Sequence, residues 1–377
     1  RSTLFPYTTL FRSTNRSGDL ADVVAISAGD YFGMALKTDG SVWAWGFNSF
    51  GNLGDSTTEQ KSYPVQVSFG RSLNLSYAAV IDKTSNTVVS VFDKRNPMPP
   101  VIRIKENQKF KIDRSKIAEM SFNLIHDIVS TDPSKISFKI TDQRIATVTE
   151  DGTVVPTGKV YGYTQLVVKD ASSGMIRVIP IGVMPKGAVA CPMVSAGQYH
   201  TLALKSDGTV WAWGYNNYGQ LGDGTSGSGT DKATPVQVKA PSNSGYLTDI
   251  VSVAAGSNHS MALKSDGSVW SWGYNSYYQL GDGTTSQRNT PVQVKAPSNS
   301  GYLADIVSVS AGSNHSMALK SDGSLWAWGH NGNGQLGDGT TTIRTLPVQA
   351  TAPSNSGYLS DIVAVGAGSN HSMALKS

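Results

Sequence analysis

One pattern of about 56 residues recurs along this chain and confines its fold to a repeat architecture. Its core reads A-G-x-x-H-x-x-A-L-K-x-D-G-x-x-W-x-W-G, and it closes on P-V-Q-V. The Ala-Gly pairs fall at Ala28-Gly29, Ala196-Gly197, Ala255-Gly256, Ala311-Gly312 and Ala367-Gly368, four copies and the start of a fifth. The last three steps are 59, 56 and 56 residues; the first is 168, so about 112 extra residues open one repeat. A fixed period in this range marks a supersecondary unit that buries its faces only against its neighbours.

Within a unit the periodicity is that of strands. Residues Ile306–Val309, His315–Leu319 and Ser324–Trp328 alternate or run apolar, and Pro347–Gln349 makes a fourth short run. The breaks are turn chemistry: Asp322-Gly323, Asn333-Gly334 and Asp338-Gly339 supply residues that tolerate positive φ. Four short antiparallel strands per unit describe a propeller blade, and nothing in the repeats has helical spacing.

All eight tryptophans lie in the W-x-W-G strands, as Trp43/Trp45, Trp211/Trp213, Trp270/Trp272 and Trp326/Trp328. A ligand-stacking platform and an inter-blade core both use such rings. Their repetition in every unit favours the core, because each ring buries on the order of 150–250 Å². His200, His259, His315 and His371 also recur at one place per unit. A catalytic triad needs one Ser, one His and one acid in contact, not three residues copied into every unit, so these histidines are read as scaffold.

The order A-G-x-x-H-x-x-A-L, D-G-x-x-W-x-W-G, G-Q-L-G, P-V-Q-V is similar to the repeats of the regulator of chromosome condensation family, over about 17–70 and 193–377. Members form seven-bladed β-propellers. The resemblance therefore implies an all-β chain: a partial β-propeller of about four four-stranded blades plus the start of a fifth. The first copy departs from the pattern, with Phe32 in place of the His and Gly51-Asn52-Leu53-Gly54 where later copies have Gln. Residues 71–190 differ in composition, lacking Trp and carrying 17 Lys/Arg against 11 Asp/Glu. Residues 143–149 and 153–155 read as one hairpin; 164–168 and 175–181 flank another turn. The run I-A-T-V-x-x-D-G-x-V resembles bacterial immunoglobulin-like domains, which implies an inserted β-sandwich. Ser72–Asp93 reads as one more hairpin, and Lys105–Lys116 as a lysine-guarded edge strand rather than a polyanion site.

Residues 3–13 resemble the conceptual translation of a sequencing adapter. The expected organisation is thus a non-native segment 1–13, a first blade 14–70, the insertion 71–190 and further blades 191–377, with the true N-terminus lying outside this sequence. There is no apolar run of 18 residues, so no membrane-spanning helix is expected. The single Cys191 excludes an internal disulfide and a cysteine-based zinc site. Outside 71–190 the balance is 14 Lys/Arg to 16 Asp/Glu, which argues against nucleic acid as a partner. No metal or cofactor motif is present.

Function in repeat scaffolds lies where copies differ, and here one loop differs. After W-G the copies carry Phe47 and Phe50; Tyr215, Asn217 and Tyr218; Tyr274, Tyr277 and Tyr278; and His330. Large aromatics with small polar neighbours suit a binding surface, although Asn and Gly there also serve the turn itself. Residues Thr225–Thr234 form a longer, Gly/Ser-rich loop. The expected function is a non-enzymatic scaffold binding a protein or glycan through one face, extracellular or on a bacterial cell surface. The near-identical units and the immunoglobulin-like resemblance support that placement. The alternatives are an intracellular regulator of a small GTPase, or the non-catalytic part of a larger enzyme. Plant ultraviolet photoreceptors resembling these propellers use a G-W-R-H-T segment; here Gly256–Ser260 has neither Trp nor Arg, so light sensing is not expected.

Overall fold

Each repeat forms a meander of four antiparallel strands in sequential order. The computed structural model describes residues 20, 23–37, 41–68, 86–88, 102–105, 108–111, 135–141, 143–150, 152–158, 162–171, 176–184, 188–190, 192–353 and 356–376. The first blade is β1 (Val23–Ala28), β2 (Phe32–Lys37), β3 (Val42–Gly46) and β4 (Lys61–Gln66). Between it and the second blade lie β5 (Asn86–Val88), β6 (Ile102–Lys105), β7 (Gln108–Lys111), β8 (Ile136–Ile140), β9 (Ala146–Val148), β10 (Thr153–Pro156), β11 (Gly162–Asp170) and β12 (Ile176–Met184). The second blade is β13 (Met193–Ala196), β14 (His200–Leu204), β15 (Val210–Gly214) and β16 (Lys232–Gln237). The third is β17 (Ile250–Ala255), β18 (His259–Lys264), β19 (Val269–Gly273) and β20 (Arg288–Gln293). The fourth is β21 (Ile306–Ala311), β22 (His315–Lys320), β23 (Leu325–Gly329) and β24 (Arg344–Gln349). A two-stranded sheet follows, β25 (Ile362–Ala367) and β26 (Ser372–Lys376).

The strands between the first two blades make two sheets, in the orders β5-β7-β10-β9 and β6-β12-β11-β8. Here β9 and β10 form the expected hairpin, as do β11 and β12. The reading of Ser72–Asp93 as a hairpin, that of residues 3–13, and most of Lys105–Lys116 fall outside the described residues. What is described of 72–93, β5, pairs parallel with β7.

The hydrophobic core of the blades is divided among the interfaces between them. Phe32, Met34, Leu36 and Val42 of the first blade pack with Ala203 and Trp213 of the second. Leu202, Leu204 and Val210 of the second pack with Val253, Ala262 and Trp272 of the third. Met261, Leu263 and Val269 of the third pack with Val309, Ala318 and Trp328 of the fourth. In the second, third and fourth blades the second Trp of W-x-W is fully buried, and its indole N–H donates to a backbone carbonyl of the preceding blade. Trp213 reaches Asn52 O at 3.1 Å, and Trp272 and Trp328 reach Gln220 O and Gln279 O at 2.9 Å. Because the acceptor is main chain, Asn52 substitutes for the later Gln without loss of this bond.

The other five tryptophans correct the expectation of a uniform inter-blade core. Trp45, the second Trp of the first blade, is only half-buried. Its counterparts are covered by the blade before them, and among the described residues no blade precedes the first. The ring lies instead along its own sheet, where a Cβ on Gly33 would stand 2.8 Å from its Cε2. The first Trp of each pair, Trp43, Trp211, Trp270 and Trp326, is also half-buried. The indole N–H groups of these four bond the hydroxyls of Ser41, Thr209, Ser268 and Ser324 two residues earlier. The two rings of a pair stand on the same face of the strand, so position along it decides their burial. The second lies against the loop of the preceding blade, and the first lies beside its own D-G turn.

Glycine is required at two repeated positions. The Gly ending W-x-W-G sits at a register shift between the third and fourth strands, with φ of 110, 103, 102 and 101° at Gly46, Gly214, Gly273 and Gly329. A Cβ on Gly273 would stand 2.6 Å from the Asn258 carbonyl oxygen. The Gly of A-G-x-x-H packs under its own blade's His ring and beside the next blade's glycine carbonyl. A Cβ on Gly256 would stand 2.5 Å from both the His259 Nδ1 and the Gly312 oxygen. Gly256→Ala is therefore expected to cost about 2–3 kcal/mol by overpacking, read as a lowered denaturation midpoint. Alanine at solvent-facing Gly158 is strained only by its positive φ.

Candidate functional site

The A-G-x-x-H turn and the loop after W-G leave the same end of each blade, because they follow the first and third strands of an antiparallel meander. These loops are built around buried asparagines. Asn216 Nδ2 donates to Asp223 Oδ1 and to the Thr225 carbonyl at 3.3 and 3.2 Å, while its Oδ1 accepts from Leu221 N at 3.0 Å. Asn48, Asn275 and Asn331 repeat the arrangement with Asp55, Asp282 and Asp338. Each carboxylate is further met by the first residue of the fourth strand, most closely as Arg288–Asp282 at 2.7 Å and Arg344–Asp338 at 2.6 Å. Burial opposes ionisation of Asp55 and Asp338, but hydrogen bonds from Thr57, Thr340 and their other partners outweigh it and hold both carboxyls below their ordinary value. The repeated Asn is thus internal to the loop, and the aromatic residues beside it face outward from a fixed base.

Those aromatics form an unbroken ribbon across four blades. Phe47 meets Phe50 with centroids 5.8 Å apart, and Phe50 meets Tyr215 at 4.7 Å. Tyr215 meets Tyr218 at 6.1 Å, Tyr218 meets Tyr274 at 4.7 Å, Tyr274 meets Tyr277 at 6.2 Å, and Tyr277 meets His330 at 5.0 Å. Along this series each ring is tilted or edge-on to the next. Two further tyrosines join at the first interface. Tyr31 stacks on Tyr199 at 6.0 Å and 14°, and Tyr199 lies edge-on to Phe50 and Tyr215. Both lie outside the W-G loops, so variation among those loops alone does not reveal them. The signal was in the neighbouring turn, where Tyr31 and Tyr199 stand in place of the later Asn258, Asn314 and Asn370. Burial, followed by neighbouring phenols, pushes the Tyr199 and Tyr215 hydroxyls above their ordinary value, so both are uncharged at neutral pH.

Two predicted site residues take other positions. Asn217 is half-buried, and its carbonyl accepts Gly227 N at 3.0 Å, pinning the Gly/Ser-rich loop, which Thr230 also ties to the Asn216 and Gly227 carbonyls. Tyr278 occupies the place of Gly51, Gly219 and Gly334, at φ 62°, one residue beyond the ring that joins the ribbon.

The repeated histidines lie behind the ribbon as inter-blade clasps. His200 Nε2 meets Ser260 Oγ of the next blade at 2.9 Å, and the same serine donates to the Gln220 carbonyl of the His200 blade at 2.8 Å. His259 and Ser316 repeat this with the Gln279 carbonyl, and His315 and Ser372 with that of Gln335. Since each hydroxyl proton goes to a carbonyl, the imidazole must donate from Nε2, which leaves Nδ1 bare; His200, His259 and His315 each bury an Nδ1 with no partner. A nucleophilic serine needs the opposite polarity, a bare nitrogen facing the hydroxyl, so these pairs do not activate a nucleophile. His371, at the last copy, is exposed. Among the described residues no group of three His, Cys, Asp or Glu is placed to hold a metal ion, and no helix is long and apolar enough to cross a membrane.

Successive four-stranded blades, cores shared between neighbours and one loop-built face define a β-propeller repeat scaffold. The chain belongs to the RCC1-like domain family, which it matches over residues 117–376. Residues 23–52 and 39–80 match the regulator of chromosome condensation (RCC1) repeat. The ultraviolet-B receptor UVR8 of Arabidopsis thaliana is 28% identical over 336 residues, covering 86% of this chain and 69% of the receptor. The human E3 ubiquitin-protein ligase HERC2 is 36% identical over 159 residues, which is 42% of this chain and 3% of the ligase. The solved structure of human WBSCR16 matches at 17% identity with a TM-score of 0.53, covering 97% of this chain and 60% of that one, a likeness of fold.

Proposed function

We propose that this chain is a non-catalytic scaffold that binds a protein partner through the aromatic ribbon. The continuity of the ribbon carries this reading: rings from Tyr31 to His330 touch in series and remain partly exposed. Half-exposed aromatics that brace one another lose little freedom on binding, the property that makes Tyr and Trp recurrent anchors of protein interfaces. The closed His–Ser–carbonyl clasps support the absence of catalysis. Placement outside a bacterial cell rests on the immunoglobulin-like resemblance of the insertion and on the near-identity of the tandem units.

The test replaces Tyr215, Tyr218, Tyr274 and Tyr277 by serine together and compares proteins cross-linked to the variant and to the parent chain. The expected result is a partner captured by the parent and lost by at least about 100-fold from the variant, since such anchors contribute about 2 kcal/mol or more each. Equal capture by both chains would remove the ribbon from consideration.

A further inference from the structure

The other end of the blades carries a second repeated surface with different chemistry. The segment leaving the fourth strand reads K-A-P-S-N-S-G-Y-L at Lys239 and Lys295, and T-A-P-S-N-S-G-Y-L at Thr351. Each copy folds as a small hairpin. Lys239, Lys295 and Thr351 bridge to Tyr246, Tyr302 and Tyr358, and Ala240, Ala296 and Ala352 donate to Gly245, Gly301 and Gly357 at 2.9, 3.1 and 2.8 Å. Leu247 and Leu303 are buried and anchor the base. Beyond them Ile250 N bonds Gly208 O and Ser265 N bonds Asp249 O, which fixes the hairpin beside the D-G turns, away from the ribbon.

The tyrosine of each hairpin points to solvent. Tyr246, Tyr302 and Tyr358 are 50, 58 and 65% exposed, an arrangement that burial does not explain. The neighbouring Ser242, Asn243 and Ser244, and their counterparts Ser298, Asn299 and Ser300, are exposed as well. While the W-G loops differ from blade to blade, the sequence A-P-S-N-S-G-Y-L is identical in three consecutive units. The charge does not repeat with them: Lys239 lies over the Tyr246 ring at 4.5 Å, but the third copy has Thr351. The adjoining Asp305 and Asp361 are paired with Lys320 and Lys376 at 3.6 Å. What recurs in all three copies is a solvent-facing tyrosine, with exposed amide and hydroxyl groups beside it in the first two.

We propose that the three hairpins form a multivalent site for a neutral polysaccharide of repeating β-linked hexopyranose units, with Tyr246, Tyr302 and Tyr358 as stacking platforms. An array of identical sites fits a ligand that is itself periodic, which a folded protein surface is not. Equatorial hydroxyls leave a hexopyranose ring with a face of positively polarised C–H groups, complementary to the negative face of a phenol ring. In the first two hairpins the exposed Ser and Asn side chains supply donors and acceptors for the ring hydroxyls. Each contact is weak alone, and affinity comes from engaging three on one chain.

Native gel electrophoresis of the full 377-residue chain, with and without mixed-linkage β-glucan in the gel, tests this. The parent is expected to be retarded by the glucan. Single Tyr→Ser variants at 246, 302 and 358 should be retarded less, and the triple variant should lose about 100-fold in affinity or more, as the loss of avidity dictates. Far-UV circular dichroism should be unchanged, because the removed rings are solvent-facing. A glucan hexasaccharide should compete far more weakly than the polymer. The ribbon variant at Tyr215, Tyr218, Tyr274 and Tyr277 should be retarded like the parent, so failure of the ribbon reading leaves this result standing. No retardation of the parent, equal retardation of the triple variant, or retardation by heparin alone would each overturn the proposal.

Discussion

Alanine at Trp272 lowers the unfolding free energy by about 3–5 kcal/mol, the range for emptying an aromatic site in a packed core. The ring is fully buried where the second and third blades meet, among Leu202, Leu204, Val253 and Ala262. Truncation leaves a cavity and also deprives the Gln220 carbonyl of its indole donor, with Ser260 remaining. Trp270 supplies the internal comparison. It is half-buried, its indole bonds only the Ser268 hydroxyl, and Lys264 lies 5.9 Å from its ring. Its replacement by alanine is expected to cost about 1 kcal/mol, the centre of the range for single substitutions. Urea denaturation of the two variants side by side decides the matter; a Trp270→Ala midpoint as low as that of Trp272→Ala would contradict the assignment of the core to the second Trp.

Acidification below pH 6.5 destabilises the propeller steeply, well before carboxylates begin to protonate. Burial holds His200 and His259 down at about 3 and His315 at about 4, with neighbouring histidines adding to the effect at the last two. In the unfolded chain the same imidazoles take up protons near 6.5. Between those values the unfolded state binds more protons, so stability rises with pH. The contribution is complete above about pH 6.5 and is lost as pH falls, the slope from His315 ending near pH 4 and the others near pH 3. Each group adds about 1.4 kcal/mol per pH unit within its window, so the three together approach ~4 kcal/mol per unit. The aspartates held below their ordinary value, among them Asp55, Asp207, Asp266, Asp322 and Asp338, contribute only to losses at lower pH. His259→Gln keeps a side-chain N–H for Ser316 and removes one titration. Unfolding free energies measured at pH 8, 7, 6 and 5 should show its slope reduced by about a third; an unchanged slope would show that the buried imidazoles are not the source.

Much of the architecture was legible because the repeat exposes it. Each copy repeats the same strand alternation and turn residues, so β17 to β20 could be placed from β21 to β24 without further information. The boundaries were less legible. The fourth strand starts at Arg344 rather than near Pro347, since Arg344 pairs with Gly329 across the bulge and with Asp338 in the loop, contacts that apolar alternation does not reveal. The two tryptophans of W-x-W look equivalent as letters, and only the packing of successive blades separates them. The same packing separates Trp45 from Trp213, Trp272 and Trp328, which occupy one position in the repeat but not one environment. The aromatic loops could be picked out as variable, but not their joining into one ribbon, which depends on Tyr218 reaching Tyr274 and Phe50 reaching Tyr215 across blade boundaries. The asparagines of those loops suit either a surface or a turn as letters, and a side chain that satisfies three backbone and carboxylate partners at once, as Asn216 does, is more stable inside.

The His–Ser–carbonyl clasp has a direction: each blade presents a donor and an acceptor, and the blade after it presents the hydroxyl that fits between them. Such an interface joins unlike surfaces of like units, so a unit inserted by duplication arrives with both halves of the fastening already made. Chain length can therefore change by whole blades without the invention of any new contact. The exception is the junction of the first two blades, where Phe32 stands for the histidine and Thr201 for the serine. Recombination within the later units preserves every fastening, while exchange across that junction breaks one.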